Sequence, residues 1–597
     1  MQRPCQLMIS LVTLLLMREP FCLAEDAPTK GILELVEMTK TGKCFSRDEY
    51  RKVRGAFVRD FEEQYRDVIK NAFGDDFDVL NQWFEKNIEV KEEFYSAIDQ
   101  KKDDIGAALK IFHSLWKEAP DAVAKAPNLA IAFAVVWDDP RSIYDYRMHQ
   151  ERTHSTLPLG YMDLTVSRCF QDYISRQKEL QAKDAINRLR VLPWEFLIYV
   201  VDHRTPLDER KWAAKNYLIK RKKIGTIYST IKYDFEMLNS RGKVCRLNDK
   251  PYTLESVLQN GGVCAMQADF AARVGKSILV PAAYVSGESQ FQELHAWVMW
   301  VEVNSANTSR VNFTLESHGR YQGDHYYTGQ VLDPQTAEKI LDRDMERRLS
   351  AVASDRVGKR QAELIMSHYD QIVTIRNLEQ KKKILLLDKV LALSPYNEAA
   401  WTELARQVRE GEIDMEAKQA VLARVEKMLT TFAKYPDFTW KLVDDLLKVQ
   451  NGKLARNQFF ERLVILYEKA ERPDLACQAR VRWSNYITED KKWSIAARGL
   501  AQTMQKFPAE GRHLPKIIKE LREVCEQFKG GSDFLGLQYQ ELLKKIPIRR
   551  GNEPNKFCIQ MYEEAIAFFK NNKKDKIARD LESKLSSIKS ARMPGSP

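Results

Sequence analysis

Residues 261–303 read GGVCAMQADFAARVGKSILVPAAYVSGESQFQELHAWVMWVEV, and their reading decides the centre of the chain. Asn260 or Gly261 is positioned to cap a helix that carries Cys264 in its first turn, with a small face of Cys264, Ala268, Ala271 and Ala272 and a stop at Gly275. The first turn is the positive end of the helix dipole, where a thiol is favoured as thiolate. Small residues one and two turns on allow close packing against a sheet. ILVPAAYVSG then reads as a strand ending at Gly287, and HAWVMWVEV as a second strand beginning at His295. A helix whose first turn faces the edge of that sheet brings Cys264 beside His295.

Outward from this stretch the texture is uneven. From Gly31 to Pro140 apolar residues recur three and four apart, as in FDVLNQWFEKNIEVKEEFYSAI, which predicts helices. Between Tyr144 and Asp342 β-branched and aromatic runs (AAYVSG, HAWVMWVEV, RVNFTLES, YYTGQVLD) predict an α+β domain. Beyond Ser354 the pattern is helical to the end, punctuated by Pro395, Pro436, Pro473, Pro508 and Pro547 at spacings of 41, 37, 35 and 39. A helix pair with its turns fills such a period, the signature of stacked helical repeats. The predicted architecture is mostly α and multidomain: a leader over 1–24, a helical region over 25–143, an α+β domain over 144–342 and tetratricopeptide-like helical repeats (an α-solenoid) over 355–597.

A cysteine and histidine so placed suit thiol catalysis, in which imidazole takes the thiol proton and later protonates a departing amine. A third group must orient the ring. A hairpin about Asn304–Ser309 sets His295 opposite residues 316 to 318, within reach of Glu316; the rival is Asp333 in VLDPQT. Gln259, five residues before Cys264, is a candidate oxyanion-hole side chain or a surface turn residue. His318 and His325, with Glu316 and Asp324, suggest zinc, but they form no i, i+4 helical pair and read as loop residues, so neither a metal nor a cofactor is expected.

Gly262-Val263-Cys264, Pro281-Ala282-Ala283-Tyr284-Val285-Ser286-Gly287, His295-Ala296-Trp297-Val298 and Asp333-Pro334 together resemble the transglutaminase-like domain of the papain-like cysteine superfamily, over about residues 250–336. The resemblance implies Cys264 as nucleophile, His295 as general base and acid, and Asp333 as the orienting carboxylate. That aspartate usually lies on the strand after the histidine, where this sequence has Glu316.

The chain of 597 residues exceeds a single core, and at roughly 100–200 residues per domain it holds three or four units. With 44% apolar and 30% charged residues it reads as globular. Arg3, the apolar run Leu7–Met17 and Ala24 resemble a secretory signal, too short to span a bilayer, which takes about 20 apolar residues. Its removal takes two arginines and one glutamate and lowers the net charge from +11 to +10. Acidic and basic residues are interleaved, which argues against nucleic acid and leaves an anionic envelope polymer as a weak partner. No further stretch is apolar enough to cross a membrane. Seven of the nine cysteines follow the leader, so at least one thiol, Cys264 foremost, stays unpaired in an exported protein. The sequence thus predicts a secreted, periplasmic or envelope enzyme acting on a protein or peptide-like amide by hydrolysis or acyl transfer. The alternative is a non-catalytic scaffold whose repeats bind a protein partner.

Overall fold

The computed structural model describes residues 27–590 except 183, 290–292, 319–320, 323–324, 412, 451 and 551–552. The leader expected over 1–24 lies outside them. The protein is mostly helical, with one six-strand antiparallel sheet at its centre. Its strands are β1 (Ala282–Ser289), β2 (Leu294–Ala306), β3 (Val311–His318), β4 (Tyr321–Gln322), β5 (His325–Leu332) and β6 (Lys339–Leu341), ordered β3-β2-β1-β5-β4 with β6 on β5.

Two helices are apolar nearly all round and take interior places, as such helices must. Pro127–Val136 starts on a proline and is buried from Leu129 onward; Trp194–Val201 is buried throughout and packs on it. Between the sheet and the surrounding helices lies Cys264–Ser277, buried from Ala265 to its end. It runs past Gly275, which lies against Ala282 and does not stop it. The small residues expected to pack on a sheet account for one face only. On the others, Asp269 accepts from the Tyr144 hydroxyl at 2.9 Å, Arg273 donates to Glu209 at 2.9 Å and covers the Tyr146 ring at 3.8 Å, and Lys276 pairs with Asp202. Burying those charges is tolerable because each has a partner.

The N-terminal helices share an aromatic core in which Phe94 stacks on Phe112 at 4.1 Å. They also seat the segments C-terminal to the sheet. After β5, Gln335 donates to the Ala97 carbonyl at 2.9 Å and to Asp103 at 3.0 Å. Arg360 donates to Glu195 at 2.9 and 3.0 Å and pairs with Glu93; Gln361 donates to the Cys44 carbonyl at 2.7 Å; the buried His368 and Asp60 meet at 2.7 Å. Burial alone would raise the Glu195 carboxyl, yet Arg360 and Lys359 hold it down at about 2. The boundary expected at 355 therefore cuts through buried contacts, because Arg356–Ser367 is packed on the N-terminal helices.

From Gln380–Leu393 to Asp575–Ser590, helices pack against those one or two along the sequence. Pro436 and Pro473 open helices at N1, where a missing amide costs nothing; Pro395, Pro508 and Pro547 lie in connections. Ion pairs recur at the same period: Arg424 with Asp388 and Arg462 with Glu426, 36 apart; Arg482 with Asp444 and Lys506 with Glu468, 38 apart; Lys574 with Asp533, 41 apart. Among the described residues no helix is long and apolar enough to cross a membrane.

Candidate functional site

Cys264 is the first residue of its helix and is half-buried. The helix is not capped by Asn260 or Gly261: its N-cap is Val263, which offers no side-chain acceptor. Gly261 instead ends the helix Leu254–Asn260 at φ +81°, where an added Cβ would stand 2.4 Å from the Lys232 carbonyl. Only glycine takes this conformation and approach at little cost. Here Gly262 donates to the Lys232 carbonyl and Asp234 donates back to that of Gly262, both at 3.0 Å. The strip Lys232–Asp234 is thereby laid along the approach to Cys264.

That strip, bridged at Tyr233 to Gly262, delivers Tyr233 to the side of Cys264. Burial first, then the neighbouring sulfur, push the Tyr233 hydroxyl up. Tyr228 and Tyr284 also lie near Cys264, and both are raised chiefly by burial. Three tyrosines thus lie near one sulfur. Of the other described thiols, Cys44, Cys169, Cys477, Cys525 and Cys558 are buried and Cys245 is half-buried; burial pushes all six up, Cys558 to about 11 and Cys44 to about 12. None of the seven is in a disulfide.

His295 is the second residue of β2, opposite Gly287 of β1, which is in turn opposite Gly329 of β5. Its ring is half-buried and lies 4.7 Å from that of Tyr327 and 5.9 Å from that of Trp297. Gly329 makes room for the indole, since a Cβ there would be 2.4 Å from Trp297. Strand alternation sets His295 and Trp297 on one face of the sheet with Gly287 and Gly329, whereas Tyr284, opposite Val298, is on the other face. Cys264 and His295 are related through Tyr228. Its hydroxyl donates at 3.1 Å to the carbonyl of Ala296, the residue after His295, and both Cys264 and Tyr327 are among its electrostatic neighbours.

The carboxylates expected to orient the imidazole stand elsewhere. The hairpin exists, but its turn is Asn307–Arg310, where the Asn307 side chain accepts from the Ser309 and Arg310 amides at 2.8 Å. β2 therefore runs on to Ala306, and Glu316 falls opposite Trp300. Five residues of strand separate Trp300 from His295, about 17 Å at roughly 3.4 Å per residue. Asp333 is 4% exposed and committed to its own turn: it accepts from the Gln335 and Thr336 amides at 3.0 Å and pairs with Arg348. Its strand flanks β1 on the side away from β2. Gln259 is exposed on the last turn of its own helix.

The tyrosines are what sequence reasoning missed. Tyr284 was visible in PAAYVSG as part of a strand and of the motif there, without a role, and Tyr228 and Tyr233 precede Cys264 by more than thirty residues. Among the described residues no three histidine, cysteine or carboxylate side chains are grouped to hold a metal; the side chains of His318, Asp324 and His325 lie outside them. Compared with known proteins, the chain matches no family model, and no curated protein is significantly similar to it.

Proposed function

We propose that the protein is an exported thiol enzyme acting on amide bonds, with a transglutaminase-like domain around the sheet and a helical-repeat array after it. The observation that carries the reading is Cys264 as the half-buried first residue of an otherwise buried helix, with Tyr233 beside it. In this mechanism His295 accepts the thiol proton and the thiolate sulfur attacks the amide carbonyl, opening its π bond to an oxyanion. A neutral tyrosine hydroxyl, Tyr233 first, donates to that oxyanion in the role expected of Gln259 from sequence. Collapse breaks the C–N bond, the imidazolium protonates the departing amine, and water or a second amine resolves the thioester. Mutating Cys264→Ala, His295→Ala and both tests the unit: each single change is expected to abolish turnover of peptide, isopeptide or peptidoglycan amides, with little further loss in the pair. Full activity in Cys264→Ala sinks the reading.

A second reading has its own support. Asp333 is engaged by Arg348 and Glu316 faces Trp300, so neither expected carboxylate stands in the row of His295. A domain that kept the fold and lost the triad serves as a scaffold whose helices bind a protein partner. Iodoacetamide separates the two, since a nucleophilic Cys264 is alkylated near neutral pH far faster than the buried thiols.

A further inference from the structure

The helical region returns to the sheet at a point far from where it leaves it. Between the helices Trp493–Lys506 and Leu514–Cys525 the chain crosses in the loop Phe507–His513. The loop is braced from within: Glu510 is 2% exposed and accepts from the amides of Arg512 at 3.1 Å and His513 at 3.2 Å. From this frame the Arg512 guanidinium donates to the Ser289 carbonyl at 2.5 Å and stands 3.3 Å from the Glu288 carboxylate. Ser289 ends β1, its amide donates to the Glu293 carbonyl at 2.9 Å, Glu288 is opposite Leu294 and Gly287 is opposite His295. The described pairing of β3 stops at Val298, so the first residues of β2 are held from the β1 side.

We propose that Arg512 is a positioning residue for His295: by fixing the end of β1 it sets the backbone from Leu294 to Trp297, and the helical region thereby forms one wall of the site. The claim about the imidazole's chemical role rests on the thiol-enzyme reading; the claim about its backbone does not. One terminal nitrogen, Nη2, makes both contacts, so a long side chain with a charged donor at its end suits the task.

Amide hydrogen exchange on the full chain tests it with Arg512→Ala and Arg512→Lys. In Arg512→Ala the amides of Leu294 to Trp297 are expected to exchange on the order of tenfold faster, while those of Trp493–Lys506 are unchanged. Arg512→Lys restores much of the protection. Unchanged exchange over 294–297, or exchange raised throughout the helical region as well, overturns the proposal. The pH profile of Cys264 alkylation is read on the same variants and on His295→Ala. If the profile ignores His295→Ala, the thiol-enzyme reading fails, and the exchange result still decides whether Arg512 positions this strand.

Discussion

At Asp333 a buried carboxylate, two turn amides and the Arg348 guanidinium complete one another. Asp333→Asn keeps an acceptor for the amides and removes the charge opposite Arg348. Thermal unfolding is expected to report a loss of about 3 kcal/mol, the low end for removing one partner of a buried pair because Arg348 is a third exposed. Glu316→Gln, on the outermost strand opposite Trp300, is expected to stay within about 0.5 kcal/mol of wild type and to leave turnover intact. A catalytic loss specific to Glu316→Gln would contradict the register. Tyr233→Phe removes the hydroxyl beside Cys264. Because the proposed mechanism has this hydroxyl donate to the oxyanion, and removing one such donor costs about 10²–10³ in rate, amide turnover is expected to fall on the order of a hundredfold. An unchanged rate removes Tyr233 from the site.

β5 and β2 meet at Gly329 and Trp297, and this contact governs how closely the strands flanking β1 approach. Gly329→Ala would place its Cβ 2.4 Å from the indole and 2.6 Å from Val285. The expected cost is about 1–3 kcal/mol of overpacking, visible as a lower melting temperature and altered tryptophan fluorescence. Much of the central fold was legible at this scale, since period and β-branching announced the Cys264 helix and strands at Ala282 and His295. Register was not: one side chain, Asn307, tightened the turn and moved Glu316 away from His295. Strand order was hidden as well, because β5 pairs with β1 across the intervening β2–β4 segment, a long-range choice that local pattern does not encode. The same limit explains the missed tyrosines, which reach Cys264 by tertiary packing.

The N-terminal helices, the sheet and the helical region are joined through buried polar groups, with consequences for stability against pH. Asp103, which accepts from Gln335, is pushed up to about 8 by burial, and Asp138 to about 7. Unfolded aspartates titrate near 4, so between about 4 and 8 the folded protein holds protons that the unfolded chain has lost. Stability from this cluster is present below that window and declines as pH rises through it. Asp103→Asn is expected to flatten the decline and to raise the melting temperature at pH 8; an equal slope in the variant counts against the assignment. A fragment of residues 355–590 would bare Arg360, Gln361 and His368, and is expected to be less helical and more aggregation-prone than the same segment in the whole chain, by circular dichroism and light scattering. The Arg360 junction also bears on the order of assembly. Glu93 and Glu195 converge on one guanidinium, 267 and 165 residues further along the chain. A polypeptide emerging from its N-terminus makes both carboxylates long before the cation that neutralises them. Until residue 360 arrives Glu93 has Arg54 at 3.7 Å but Glu195 lacks its cation, so the first third of the protein is completed by a segment beyond the chain's midpoint.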